Sequence, residues 1–285
     1  MSAKVDDWLN HLSIQHSAKT VEAYAWDIRR LMRDIVCVDR DVADLRIEDL
    51  NRYLAARRAG GVGDACLKRC VNALRSFYGY IGSSAAAALP MPRPKLKEQR
   101  TLTGDQALAV LAACDTSSPI GLRDLAMLAL MLDSGLRASE VCRLRVEHLD
   151  LSNLMLRVVV KGGQEMFGVY SVETANYLSA WAAVRSSEAQ TVFTSFESHR
   201  VGQPLTAGGL RCIFRSVGKR AGLAAFSPHD LRRTFATIAS LLGAPSAVLM
   251  VAGRWHDIKL VERYTQAVRA KDFARYSPVH GVLNS

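Results

Sequence analysis

The sequence has no uninterrupted apolar run of about 18 residues, so it offers no candidate for a membrane-spanning helix. The opening stretch, MSAKVDDWLNHL, carries two aspartates and no continuous apolar segment, so no secretory leader is expected there. The six cysteines (Cys37, Cys66, Cys70, Cys114, Cys142, Cys212) form no Cys-x-x-Cys pair and no Cys/His cluster at zinc spacing. They read as small buried hydrophobes of a reduced, intracellular chain. A glycine-rich phosphate loop, a carboxylate cluster suited to a divalent metal and a solenoid repeat are all missing. No metal site and no cofactor are therefore expected.

What is present is globular in composition: 285 residues, 49% hydrophobic and 22% charged. That length holds two ordinary domains and buries a core without disulfide staples. Lys and Arg number 37 against 27 Asp and Glu, a net charge of +10. Such a surplus points to a polyanionic partner, either nucleic acid or an anionic membrane surface.

The clearest break along the chain is Leu89-Pro90-Met91-Pro92-Arg93-Pro94-Lys95, where alternate prolines stop a helix and favour extended backbone. Charge changes there as well. Residues 1–88 carry a net +2, residues 89–100 carry +3 and residues 101–285 carry +5, so the short segment is the most basic per residue. The expected organisation is a helical unit over 1–88, a basic linker over 89–100 with Arg93, Lys95, Lys97 and Arg100, and a second unit over 101–285. The linker is either a tether in solvent or a strap that follows DNA phosphates.

In the first unit Val21, Tyr24, Ile28, Leu31, Met32 and Ile35 share one helical face. Leu67, Val71, Leu74, Tyr78 and Ile81 repeat the pattern, and shorter helices near 3–13 and 47–58 complete a four-helix unit. The second unit opens on a Thr103-x-x-Gln106 capping box. A helix over about 121–134 should end at Gly135. Two strands, Leu154–Val160 and Met166–Val172, should flank a turn at Lys161-Gly162-Gly163. Ser227-Pro228 marks a helix start, with the helix running to about Leu242 before two short ones. The fold class is mainly α with a small antiparallel β-hairpin.

Four features carry chemistry. Arg137 and Glu140 lie in Gly135-Leu136-Arg137-Ala138-Ser139-Glu140, and Lys161 sits at the hairpin tip. His229 and Arg232 fall at i and i+3 on one helix face, and Trp255 precedes Tyr264 by nine residues. Singly, each has an ordinary explanation: a helix-end charge, a solvated lysine, a surface pair, a packing tyrosine. In this order they resemble the tyrosine recombinase (phage integrase) family, whose pattern is an Arg in GLRxSE, a Lys in a β-turn, HxLRRTFAT, a His or Trp, and a Tyr nine residues on. The resemblance covers essentially the whole chain. It includes AKTVEAYAWDIRRL, which is similar to the family's helical core-binding (SAM-like) domain.

The resemblance implies a DNA-strand-exchange enzyme that needs neither metal nor ATP. Tyr264 would be the nucleophile that forms a 3′-phosphotyrosyl bond, and Arg137 and Arg232 would hold the two non-bridging oxygens by charge-assisted hydrogen bonds. His229 would be an acid/base partner, Lys161 the acid that protonates the departing 5′ oxygen, and Glu140 a support for the arginines. Trp255 fills the family's His/Trp position. Its indole N–H can donate a hydrogen bond but cannot shuttle a proton, and the adjacent His256 is the alternative. Tyr170, Tyr177 and Tyr276 are weaker nucleophile candidates. The implied partners are double-stranded DNA with attachment-type core sites, three further copies in a homotetramer on synapsed DNA, and an accessory directionality factor. The chain is expected to be monomeric without DNA, cytoplasmic, and nucleoid-associated when bound.

Room for an extra N-terminal arm-binding domain is not evident, because the helical unit begins at about residue 3. Trp255 and a hairpin without a basic residue after Lys161 suggest a phage or prophage integrase. Xer-like and transposon recombinases, a type IB topoisomerase and a non-catalytic basic DNA-binding regulator are the alternatives. The apolar residues after Tyr264, among them Val268, Phe273 and Tyr276, are expected to dock either on their own domain or on a neighbouring protomer.

Overall fold

The computed structural model of the chain describes residues 3–35, 41–93, 100–160 and 163–265, without the side chains of Ile35, Leu260, Arg263, Tyr264 and Thr265. The chain divides into two compact units, residues 1–98 and 99–285. Among the described residues no helix is long and apolar enough to cross a membrane.

The first unit packs α1 (Ala3–Gln15), α2 (Ala18–Ile35), α3 (Ile47–Ala59) and α4 (Asp64–Tyr80). The helical periodicity is realised in the core: Ile28, Leu31, Val71, Leu74 and Tyr78 are fully buried, with Val21, Tyr24, Met32 and Ile81 packed against them. Trp8 of α1 anchors this core. Its ring meets Phe77 edge-on at 5.4 Å and its indole N–H donates to Ser76 Oγ at 3.2 Å. A buried carboxylate needs compensation for lost water. Asp27 obtains it from Arg69, whose Nε and Nη2 donate at 2.7 and 3.2 Å, and from Arg57 at 3.5 Å. Leu89 is buried in the same core, Met91 packs on it, and Arg75 donates to the Leu89 carbonyl at 2.6 Å. The start of the proline-rich stretch is thus held by the first unit.

The second unit is built round α6 (Pro119–Ser134). Its sequence is apolar on nearly every side, from Leu125 to Met131, and such a helix has to be enclosed. α8 (Val172–Val184) and α10 (Pro228–Leu241) pack against it. Ser118 caps α6 by accepting from the Gly121 N–H at 3.1 Å, and Pro119 occupies the first helical position. α5 (Gly104–Ala112) opens the unit on the expected capping box, where the Thr103 and Gln106 side chains each accept the other's backbone N–H. α7 (Ala138–Arg143) and α9 (Ala207–Arg220) pack together, and α11 (Ser246–Ala252) and α12 (Ile258–Thr265) close the described chain.

The hairpin is part of a three-stranded antiparallel sheet: β1 (Leu149–Asp150), β2 (Met155–Val159) and β3 (Glu165–Val169), in that order. β2 and β3 pair Leu156 with Gly168 and Val158 with Met166. β1 went unread in the sequence because two residues carry no period. β3 also ends at Val169 rather than Val172, since Ser171 turns to cap α8 by accepting from Thr174 N–H.

The cysteine expectation is corrected. Cys70 and Cys114 are buried, but Cys66 and Cys212 are exposed and Cys142 is half-buried, while Cys37 lies outside the described residues. Cys66 lies in the first turn of α4, ahead of its first buried residue, Leu67, while Cys212 lies on the face of α9 opposite buried Leu210, Phe214 and Val217.

Gly135 ends α6 at φ +59°, a left-handed conformation that favours glycine. A Cβ there would also stand 2.5 Å from Cδ1 of Phe235 on α10. Gly135→Ala therefore combines backbone strain with overpacking and should cost about 2–3 kcal/mol. Urea unfolding of the two proteins would read this, and an unchanged midpoint would show that the α6–α10 contact yields freely.

Candidate active site

Arg137 is placed by the end of α6 and the start of α7. The Glu140 carboxylate accepts the Arg137 backbone N–H at 2.8 Å and its Nη1 at 2.7 Å, so one side chain fixes both the helix start and the guanidinium. Glu140 is 8% exposed, while the Arg137 side chain keeps 40%. Burial raises the Glu140 pKa, but the Arg137 N–H, the Arg137 guanidinium and the nearby Arg254 outweigh it, and the carboxyl sits below its ordinary value.

α10 carries the next two groups. Ser227 and Asp230 cap it reciprocally: Asp230 Oδ2 accepts the Ser227 N–H at 2.9 Å and Ser227 Oγ accepts the Asp230 N–H at 3.3 Å. This sets the first turn, which holds His229 and, one turn on, Arg232. Arg232 is 2% exposed. Its Nη1 donates to the Gly135 carbonyl and its Nη2 to the Gly253 carbonyl, so it bridges the turn after α6 and the turn after α11. His229 is half-buried. Desolvation, then the charges of Arg233, Arg232 and Arg137, push its pKa below the usual imidazole value, which leaves the ring neutral at pH 7.

The third element is the turn Gly253-Arg254-Trp255 between α11 and α12. Trp255 is 7% exposed, stacks on Phe235 at 6.2 Å and 19°, and lies beneath the Arg232 guanidinium at 4.5 Å. Gly253 is required by space, since a Cβ there would meet the Trp255 ring at 1.8 Å. His256, the alternative at this position, is exposed. Arg254 was not foreseen. It is completely buried, sits at φ +55°, and donates to the carbonyls of Ser134 at 3.0 Å and Ala252 at 2.9 Å. Its Nη2 lies 3.5 Å from Glu140, and its own carbonyl accepts from Arg137 Nη2 at 3.4 Å. An arginine in an otherwise apolar Val-Ala-Gly-x-Trp turn is the sequence signal that it left.

The structure thus brings Arg137, Glu140, His229, Arg232 and Trp255 into one cluster. Lys161 lies outside the described residues. The ends of its loop are in place, with Val160 N–H donating to the Gln164 carbonyl at 2.8 Å and Gly163 at φ +79°. Tyr264 is carried on the backbone of α12, which packs on α10 and α11 and is rooted by fully buried Val261. Of the other tyrosines, Tyr170 is buried and donates to the Asp150 carbonyl at 2.9 Å. Burial and Asp150 push its pKa up to about 12, against any role as a nucleophile. Tyr177 packs on the core and Tyr276 lies outside the described residues. In the basic linker, Arg93 is exposed, Arg100 donates to the Ala225 carbonyl at 2.5 Å, and Lys95 and Lys97 lie outside the described residues, as does the segment after Thr265. Among the described residues no group of three or more His, Cys, Asp or Glu could hold a metal ion.

Glu140→Gln should lower stability by about 2–3 kcal/mol at pH 7, because two guanidiniums lose their shared counter-charge. A carboxyl whose folded pKa is depressed stabilises above its unfolded value, near about 4.3, and loses that contribution as pH falls through the folded value. The gap between wild type and variant should therefore hold from pH 7 to 5 and close below that range. Urea titrations across this span check it, and a gap independent of pH would assign the loss to packing.

A family model described as the phage integrase family matches residues 100–271, and one described as the phage integrase N-terminal SAM-like domain matches residues 5–82. Tyrosine recombinase XerC of Xanthomonas campestris pv. campestris (strain B100) is 33% identical over 244 residues, covering 82% of this chain and 74% of its own length. Tyrosine recombinase XerD of Lacticaseibacillus casei is 30% identical over 228 residues, with 76% and 77% covered. Among solved structures, a lambda integrase fragment, crystallised as a dimer bound to a COC′ core site, shares the fold with a TM-score of 0.73 at 18% identity over 93% of this chain and 95% of that one. With both family models matched in order and relatives of this identity across most of its length, the chain belongs to the phage integrase, or tyrosine recombinase, family.

Proposed function

We propose that the chain is a site-specific DNA recombinase of Xer-like organisation, which cuts and rejoins double-stranded DNA through a 3′-phosphotyrosyl intermediate. The observation that carries this reading is the convergence of Arg137, Arg232 and a neutral His229 beside the helix that bears Tyr264. The XerC and XerD relatives favour the Xer-like alternative over the phage or prophage integrase suggested by the divergent hairpin and Trp255.

In the proposed step the Tyr264 oxygen attacks phosphorus and its proton passes to His229. The bond from phosphorus to the 5′ oxygen breaks, and Lys161 protonates that oxygen as it leaves. Arg137 and Arg232 neutralise the non-bridging oxygens, and a preorganised donor of this kind is worth about 3 kcal/mol in the transition state. Trp255 and Glu140 hold the two arginines in place. A phosphodiester is exchanged for a phosphotyrosyl ester, so the bond energy is retained and no nucleotide is consumed. The 5′ hydroxyl of a second strand reverses the step and completes the exchange. Synapsis of two sites calls for a homotetramer.

A pool of nicked duplexes with a randomised centre supplies the substrate, since the wild-type adducts themselves define the site. Wild-type protein should form an SDS-stable adduct, also in EDTA, because guanidiniums supply the positive charge. Tyr264→Phe should form none while binding the selected duplex as wild type does. An adduct from the Phe variant would move the nucleophile elsewhere, and binding without any adduct would favour the non-catalytic regulator. Neutralising Arg93, Lys95, Lys97 and Arg100 together should weaken binding and reduce its dependence on salt, as expected if the linker follows phosphates. An unchanged salt slope would place the linker off the DNA.

A further inference from the structure

We infer that Arg254 is a positioning residue for strand cleavage: its buried side chain fixes the 253–255 turn so that the turn's main-chain carbonyls aim both Arg137 and Arg232. The inference rests on the recombinase reading for the cleavage step, but the coupling itself is a property of the folded chain.

Three observations carry it. The first is conformational. Arg254 takes φ +55°, where a residue with a Cβ is strained and glycine is not. Strained backbone of this kind persists only when the surroundings over-determine it. The second is burial. The guanidinium is 0% exposed, and its Nε finds no hydrogen-bond partner among the described residues. A charge so enclosed is too deep to meet DNA, so its effect must pass through its neighbours. The third is connectivity. Nη2 donates to the Ser134 carbonyl at the end of α6, Nη1 donates to Ala252 at the end of α11, and Glu140 of α7 lies 3.5 Å away. On β3, Gly168 leaves the space that Nη1 fills, since a Cβ there would stand 3.0 Å from it.

The turn held in this way presents two carbonyls in succession. Gly253 offers its oxygen to Arg232 and Arg254 offers its own to Arg137. The same turn seats Trp255 under Arg232 and leads into α12, which carries Tyr264. Arg254 therefore joins both phosphate-holding arginines to the start of the nucleophile's helix. Glu140 is shared between Arg137 and Arg254, so a shift of one is felt by the other.

Two variants test this. Arg254→Lys keeps the charge beside Glu140 but cannot fork to Ser134 and Ala252 together. Arg254→Gly removes the guanidinium while relaxing the left-handed backbone, which guards against a simple failure to fold. Thermal melts establish that each is folded. The first readout needs no activity: the side-chain Nε–Hε signals of Arg137 and Arg232 in ¹⁵N NMR spectra of the full chain should move or broaden in both variants. The second uses duplexes selected by wild-type adduct formation. The rate of adduct formation should fall about tenfold for Lys and about a hundredfold for Gly, with DNA affinity within about twofold of wild type. Unmoved Arg137 and Arg232 signals in a folded variant would overturn the inference whatever the activity. Moved signals with an unchanged cleavage rate would overturn the role in cleavage. Absence of an adduct from wild-type protein would instead overturn the recombinase reading, and the NMR comparison would still decide the coupling.

Discussion

The second unit depends on how it holds one buried guanidinium. Arg232 stands under α6 and α11 with almost no access to water, and it donates to the carbonyls of Gly135 and Gly253 at the ends of those two helices. Helix C-termini carry partial negative charge and unsatisfied carbonyls, so an arginine there answers both needs. The arrangement also sets a limit on sequence. Gly135 must be glycine for its φ and for the Phe235 ring beside it, and Gly253 for the Trp255 ring beneath it. Phe235 and Trp255 stack on each other, so the two turns, the two rings and the guanidinium form one packed unit.

Positive charge gathered in this way has to be balanced. Glu140 does so for Arg137 and Arg254, and the depressed pKa of its carboxyl shows that the guanidiniums and the Arg137 N–H outweigh the cost of burial. His229 receives the opposite treatment. Burial and three nearby arginines hold its imidazole neutral, which is the form able to take a proton from a phenol. Two groups with ordinary pKa values a few units apart are thus driven to fixed states by one cluster of arginines, Glu140 to a charged carboxylate and His229 to a neutral imidazole.

Much of this was legible beforehand, for identifiable reasons. Local signals held: the Thr103-Gln106 box and Ser227-Pro228 start helices because hydroxyl caps and proline act within one turn, and Gly135 ends α6 through its own φ. The helical period placed Ile28, Leu31, Val71 and Leu74 in the first core. Non-local features were not legible. β1 is two residues long and exists through its pairing with β2. The salt bridge of Asp27 to Arg69 spans 42 positions, and no sequence period records it. Arg254 was given no role because its partners lie at Ser134 and Glu140, which the fold alone brings near. The exposure of Cys66 and Cys212 was misjudged because residue type records neither a position at the helix end, as for Cys66, nor one on the outer face, as for Cys212.

The nine-residue spacing from Trp255 to Tyr264 now has a physical reading. Trp255 is fixed by the Phe235 stack and by its backbone N–H, which donates to the Met250 carbonyl at 2.9 Å. α12 begins at Ile258, and its fully buried Val261 roots it against α10 and α11. From Val261 to Tyr264 is three residues, close to one helical turn and roughly 4.5 Å of rise. The backbone of Tyr264 is therefore set by two anchors in series, a stacked ring before the helix and a buried valine within it. One residue inserted between Val261 and Tyr264, inside the helix, would turn Tyr264 by about 100° about the axis of α12 relative to the buried valine. The spacing is conformational in origin: it joins a fixed ring to a fixed helix phase, and the helix phase sets the backbone of Tyr264.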